Sequence, residues 1–279
     1  MKRFSSKPML ELMKSRTGSR GKTTLTAAAV TDRGVLRRSN EDRTLVLFGS
    51  VGKADVEWAL LAVADGVGGA PAGEVASTLA VETLSEHLDQ LLDGDPSQLL
   101  TDLFVSANQR ICDEGDRSPQ RRGLACTLVA ALVRDSGMWL ASVGDSRAYL
   151  YRGGSLVQLT TDHSLAFDSS LAPELRRLVE GRPGARNILT RSLGNSTGVT
   201  PDLQGPINLE PGNCVLLCSD GLYNLLSVEE LGEALEASGR DVGGAAHTLV
   251  ALANERGAPD NVSVVILKVA DRMPPEREA

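Results

Sequence analysis

Apolar runs in this chain end, again and again, on an aspartate. Five stretches do so, or set the aspartate beside a tight glycine turn: Asn40-Glu41-Asp42, Ala64-Asp65-Gly66, Gly144-Asp145-Ser146, Ser219-Asp220-Gly221 and Pro259-Asp260-Asn261. Two carboxylates ~4 Å apart repel by roughly 4 kcal/mol at an effective dielectric of ~20. A fold that gathers several of them needs divalent cations to hold them together. All-oxygen ligands suit hard ions such as Mg²⁺ or Mn²⁺ rather than zinc. The pattern therefore leads to an expected di- or trinuclear metal site working on phosphate.

The apolar runs read as strands over 25–30, 44–48, 58–64, 127–133, 138–143, 147–151, 155–159, 214–218 and 261–269. They are rich in Val, Leu and Ala, and most stop at Gly or Asp. Gly153-Gly154 predicts a two-residue hairpin turn. The unbroken run Cys214-Val215-Leu216-Leu217-Cys218 predicts a strand covered on both faces. Helices are expected over 74–92, 96–114 and 241–256, where apolar residues recur every three or four positions. Ser227 with Glu230 predicts a capping box ahead of Leu231 and Leu235. Strand groups with helix pairs inserted between them indicate an α+β fold, antiparallel sheets with helices outside. Residues 166–186 lack apolar periodicity and read as a mobile flap over a site.

With 279 residues and 42% hydrophobic content, the chain can bury a core. A net charge of −7 argues against nucleic acid as the main partner. Residues 1–22 hold seven Lys/Arg against one acid, so this basic leader leaves the rest at −13. Residues 1–23 are expected to be disordered, and 272–279 to be a loose tail. The leader lacks the apolar core of a signal peptide, and no run of 18 apolar residues predicts a membrane span. Cys112, Cys126, Cys214 and Cys218 lie in apolar surroundings without a disulfide-like framework. They are expected to be reduced, in a cytoplasmic protein. No unmatched apolar stripe stands out, so a monomer is expected.

Arg37-Arg38-Ser39-Asn40-Glu41-Asp42 combines cations with two adjacent carboxylates. An arginine there can grip a phosphate bidentately while an acid a few residues on holds a metal or its water. Asp65 ends a buried strand, where a lone charge is costly. The glycines after it let backbone carbonyls approach an ion. Asp145, Asp220 and Asp260 repeat the arrangement at other strand ends.

These segments, in this order, resemble the metal-dependent protein Ser/Thr phosphatases of the PPM (PP2C) family, bacterial type. The likeness runs from about Thr31 through Leu267. It is carried by Gly34 to Asp42, Asp65-Gly66-Val67-Gly68-Gly69, Gly73-Glu74-Val75-Ala76-Ser77, Gly144-Asp145-Ser146-Arg147, Asp162-His163-Ser164, Leu189 to Gly194, Ser219-Asp220-Gly221-Leu222 and Asp260-Asn261. The resemblance implies a four-layer α-β-β-α sandwich over residues 24–271, with the metals at one end. It implies that Asp65 bridges two Mn²⁺ or Mg²⁺ ions, completed by Asp220, Asp260 and the carbonyl of Gly66. Asp42 and Glu41 would hold metal-bound water, and Arg37 would bind the substrate phosphate. Asp145 with Asp220 would hold a weaker third ion. The implied reaction is direct attack on phosphoserine or phosphothreonine by a hydroxide bridging the ions, opposing a bacterial Ser/Thr kinase. One departure is Ala125-Cys126-Thr127, where many members carry Gly-Thr-Thr or Gly-Ser-Thr.

Other chemistries fit less well. No cysteine has Arg six positions later: Ser118, Leu132, Asp220 and Asn224 stand there. Gly144-Asp145-Ser146-Arg147-Ala148 lacks the closing glycine of a nucleophile elbow. No clustered Cys/His suggests zinc, and no GxxxxGK loop is present. His163, beside Asp162 and Ser164, reads as a hydrogen-bonded structural residue rather than a leaving-group acid. The alternative from another class is a non-catalytic adaptor that binds phosphoproteins on the same fold.

Overall fold

A computed structural model describes residues 9–17, 23–51, 56–67, 72–91, 94–117, 123–167, 179, 188–239 and 241–271. Strands β1 (Met9–Thr17), β2 (Thr23–Asp32), β3 (Arg43–Val51), β4 (Val56–Ala64) and the short β5 (Gly66–Val67) come first. Two helices follow, α1 (Ala72–Leu91) and α2 (Pro96–Asp116). Next come β6 (Ala125–Cys126), β7 (Leu128–Arg134), β8 (Gly137–Val143), β9 (Arg147–Arg152), β10 (Ser155–Gln158), β11 (Asp202–Asn208) and β12 (Cys214–Cys218). The chain closes with α3 (Asp220–Tyr223), α4 (Val228–Ala237), α5 (Val242–Glu255) and β13 (Val262–Asp271).

Two antiparallel sheets result, one ordered β1-β2-β13-β12-β9-β10 and the other β11-β8-β7-β4-β3. The period-2 alternation of strands sorts each residue to one of two buried faces. Ala27, Ala29, Leu61, Val63, Val129, Val215, Leu217 and Val265 meet between the sheets. Their neighbours Leu60, Ala62, Ala130 and Leu132 face α1 and α2. Ala28, Val30, Leu216, Val264 and Ile266 face α4 and α5. The order of layers is thus α-β-β-α, as the resemblance implied.

Local signals set the helix ends. The side chain of Asp95 caps α2, accepting from Gln98 N at 2.9 Å, with Pro96 in the first turn. Ser227 and Glu230 form the expected capping box of α4. Asp241 caps α5 through Gly244 N at 2.8 Å.

Two strands depart from the sequence reading. Met9–Thr17, expected to be part of a disordered leader, pairs with β2 from Met9↔Thr31 to Thr17↔Thr24. β2 has backbone donors and acceptors along that edge, and pairing satisfies them. β11 was not expected at all. All but one of its residues are exposed, so it carries no apolar alternation. Its register on β8 shifts between Gln204 and Ile207, around Pro206, which cannot donate to a ladder.

Register explains where the acids go. On the first sheet Asp32 lies opposite Val262, and Cys218 lies opposite both Val264 and Arg147. On the second, Arg43 lies opposite Ala64 and Leu128 opposite Val143. These are the strand ends that lead into Asp42, Asp65, Asp145, Asp220 and Asp260, so all five leave the sandwich from the same rim.

Candidate metal centre

Each acid is fixed by a different local device. Asp42 is buried at 1% exposure just before β3. Its N–H donates to Asn40 Oδ1 at 3.1 Å, and the Asn40 amide donates to Thr31 Oγ1 at 2.8 Å. Ser219 donates its hydroxyl to Asp42 Oδ2 at 2.7 Å while accepting from Ser263 N at 3.0 Å. Arg43 closes the turn from outside, donating to the carbonyls of Asn40 and Asp42 and pairing with Glu74 of α1 at 2.8 Å.

Asp65 follows β4 directly. Its N–H donates to Thr127 Oγ1 at 3.1 Å, and its carbonyl accepts from Thr127 N at 2.8 Å. Thr127 is the third residue of Ala125-Cys126-Thr127, where the departing residues are Ala125 and Cys126, so the contact that anchors Asp65 lies on the unchanged position. Asp220 opens α3 with Ser219 at the N-cap, and Asn224 donates to its Oδ2 at 3.2 Å. Asp260 accepts from Arg37 Nη2 at 2.6 Å. Tyr223 donates its hydroxyl to the carbonyl of Asp145 at 3.0 Å, and the Arg147 guanidinium lies 3.6 Å from the Tyr223 ring centroid. Arg147 in turn grips Asp162 with two nitrogens, at 2.9 and 2.6 Å.

The glycines admit no side chain. A Cβ on Gly66 would lie 2.3 Å from the carbonyl oxygen of Gly73, and one on Gly73 would lie 2.2 Å from Glu41 Oε2. The N-terminus of α1 is thereby pressed against both Gly66 and Glu41. Glu41 is also held by its backbone: its N–H donates to Asn261 Oδ1 at 2.8 Å, and its carbonyl accepts from the Ser77 hydroxyl.

The acids feel one another. Burial, and then the charges of Asp42, Asp220, Asp145 and Asp260, push the Asp65 carboxyl well above the usual carboxylate range. Burial raises Asp42 and Asp145 to about 6 each. Asp220 is pushed to about 7 by burial and by Asp145, Asp260 and Asp42. The predicted residues therefore share one rim and one electrostatic field. Among the described residues no group of three or more His, Cys, Asp or Glu side chains is drawn tightly enough to hold an ion as it stands.

The residues present fit divalent cations. Asp42 Oδ1 is buried and has no hydrogen-bond partner. A buried anionic oxygen left unpaired is costly unless a cation satisfies it. Every nearby candidate donor is a carboxylate or carbonyl oxygen, the chemistry of Mg²⁺ and Mn²⁺.

Sequence reasoning named Ser219, Asn261 and Thr127 only as members of motifs, without their supporting roles, and did not single out Arg43 or Tyr223. Ser219 carried the one usable signal, a serine ahead of a short helical turn. The expected flap over 166–186 lies almost wholly outside the described residues. His163 accepts from Gly144 N through Nδ1 at 3.0 Å, and its Nε2 lies 3.0 Å from Asp202 Oδ2 and 2.8 Å from Arg191 Nη1. Both ring nitrogens are engaged in joining loops. Ser146 is buried and its hydroxyl is hydrogen-bonded to Thr127 Oγ1 at 2.7 Å, rather than to a histidine base, which speaks against a nucleophile.

Known proteins agree with this layout. The chain is 36% identical over 247 residues, 88% of its length, to the serine/threonine protein phosphatase PstP of Mycobacterium tuberculosis. It spans 45% of that relative, a little under half. It is 34% identical to the serine/threonine phosphatase stp of Listeria monocytogenes, covering 85% of this chain and 93% of that one. The crystal structure of the PstP catalytic domain in complex with two manganese ions superposes with a TM-score of 0.73 at 36% identity, over 89% of this chain and all of that one. Residues 38–251 match the family described as Protein phosphatase 2C. The chain belongs to the protein phosphatase 2C family.

Proposed function

We propose that this chain is a metal-dependent protein serine/threonine phosphatase, with residues 24–271 and the added strand β1 as its folded unit. The observation that carries the reading is the convergence of five aspartates on one rim, where the unpartnered oxygen of Asp42 and the raised Asp65, Asp145 and Asp220 carboxyls await positive charge. Asp65, Asp220, Asp260 and the Gly66 carbonyl would hold two divalent cations, with Asp42 and Glu41 beside them and Asp145 toward a third. Bound Mn²⁺ or Mg²⁺ supplies Lewis acidity and lowers the pKa of water from 15.7 toward ~7.

The protein's own residues do the rest. Arg37 stands at the lip, its side chain 46% exposed, within reach of Asp260. Its planar fork suits a phosphoryl group, and its fixed charge offsets the charge on the phosphoryl oxygens in the transition state. Asn261 and Ser219 fix the Glu41 and Asp42 loop before substrate arrives, so little reorganisation is needed.

The manganese in the PstP structure supports the same cofactor here. The substrate class is a phosphoprotein, and a Ser/Thr kinase is the enzyme class that must supply it. No described helix is long and apolar enough to cross a membrane. A monomer working in the cytoplasm completes the reading. Excess Mn²⁺ should support hydrolysis of p-nitrophenyl phosphate and phosphothreonine peptides, and EDTA should abolish it. If pure protein with Mn²⁺ releases no phosphate from any of these, a phosphoprotein-binding adaptor takes its place.

A further inference from the structure

The loop of residues 33–39 shows an unusual pairing of rigid backbone and unburied side chains. Asn261 Nδ2 donates to the carbonyls at both ends, Arg33 and Ser39, each at 2.9 Å. Val35 N donates to Ala258 O at 2.9 Å, and Gly34 N to Asp32 Oδ1 at 2.8 Å. Gly34 itself sits at φ +76°, where a Cβ would lie 2.0 Å from the Asp260 carbonyl oxygen. The backbone is therefore stapled to the segment that carries Asp260.

Its side chains nonetheless face solvent. Arg33, Val35, Leu36, Arg37 and Arg38 are all exposed. Leu36 is 70% exposed, the most open of the large apolar side chains among the described residues, and Val35 is 55% exposed. Single exposed aliphatics are ordinary, but two in succession beside a phosphate-gripping arginine form a contact surface. Three guanidiniums in six residues also stand out on a chain of net charge −7. Arg37 pairs with Asp260, whereas Arg33 and Arg38 have no ion-pair partner among the described residues.

We propose that this stapled loop reads the polypeptide on either side of the phosphoresidue, favouring substrates with a carboxylate and an aliphatic side chain within two or three positions of it. The proposal rests on the phosphatase reading. Consecutive residues of an extended chain are ~3.8 Å apart, so neighbours of a phosphate held by Arg37 come within reach of Leu36 and Arg38. An acidic neighbour complements Arg33 and Arg38, and an aliphatic one covers Leu36 and Val35. Binding energy gathered there, away from phosphorus, raises kcat/KM for the matching peptide.

The test compares phosphothreonine decapeptides with Glu and Leu flanks against versions with Lys and Ser. Because p-nitrophenyl phosphate lacks flanks, it is the reference. Wild type should favour the Glu/Leu peptide by about fivefold or more in kcat/KM, the scale of one or two exposed ion pairs. Arg33→Glu with Arg38→Glu should erase or invert that preference, and Leu36→Ser should halve it or more, with the rate on p-nitrophenyl phosphate unchanged. Arg33→Gln with Arg38→Gln, checked for cooperative thermal unfolding, covers the case of a charge-reversed variant that does not fold. Equal preference in wild type and variants, or none in wild type, overturns the proposal. If even p-nitrophenyl phosphate is not turned over, the phosphatase reading itself fails. Fluorescence anisotropy of the same labelled peptides then tests the loop alone: it stands if the Glu/Leu peptide binds more tightly and the variants lose that difference, and falls otherwise.

Discussion

Asp65 is buried among the charges of four other aspartates of the rim. Its carboxyl is raised by burial and by four other aspartates, so in metal-free protein it opposes folding as well as serving the site. Asp65→Asn should therefore act in opposite directions on two measurements. Metal-dependent hydrolysis should fall by about 100-fold or more, the scale of losing a central electrostatic group. The melting temperature in EDTA at pH 7.5 should rise by about 3 °C, since 1 kcal/mol corresponds to roughly 2–4 °C at this size. A lower melting temperature would mean that Asp65 has a structural partner instead. Aspartates of this kind were legible in the sequence because each stands at a strand end or beside a tight turn, where a charge needs a reason. Their supports were not. Ser219 reaches Asp42 across 177 positions and Asn261 reaches Glu41 across 220, distances over which no local pattern operates.

Elements announced themselves in proportion to how much they bury. β12 is buried at every residue and was found with its bounds intact, whereas β11 is exposed at six of seven and left no periodic trace. Short α3 escaped for a different reason: four residues cannot show a 3.6-residue period, and the Ser219 hydroxyl at its N-cap is turned to Asp42 rather than to the helix. Capping chemistry was readable because it is local. Ser227→Ala should remove the hydroxyl half of the α4 capping box, leaving the Ser227 N–H on Glu230, and cost about 1 kcal/mol, measured by urea unfolding with an unchanged m-value. A cost near zero would show that the packing of Leu231 and Leu235 positions this helix without its cap.

Across the whole molecule, the acidic rim couples stability to pH and to metal. Asp42 and Asp145 at about 6, and Asp220 at about 7, stand above the ordinary aspartate value of ~3.9. The folded state then binds more protons than the unfolded chain between these values. The stabilisation they give is complete below pH ~4 and lost as pH rises through 6 and 7. Glu230, held at about 2 chiefly by its hydrogen bond to Arg256, titrates below this window. Metal-free protein should thus melt progressively lower from pH 5 to pH 8, as followed by circular dichroism in EDTA. Added Mn²⁺ should restore the melting temperature most at pH 8, where the carboxylates are free to bind it. A metal-free melting temperature that is flat or rising over this range would contradict the electrostatic picture. The layered fold was legible as a class because strand runs alternate with helix pairs, and the gathering of the acids was expected from their repeated pattern, but the register that brings them to one rim was not.

That register also divides the molecule's freedom to change. The turns at Asp135-Ser136 and Gly153-Gly154 close hairpins at the far rim, opposite every acid of the centre. Residues there stand a full strand length from the acids, so changes at these turns should leave the shape of the acidic rim intact. One pole of the sandwich gathers the charge, and the other closes the hairpins.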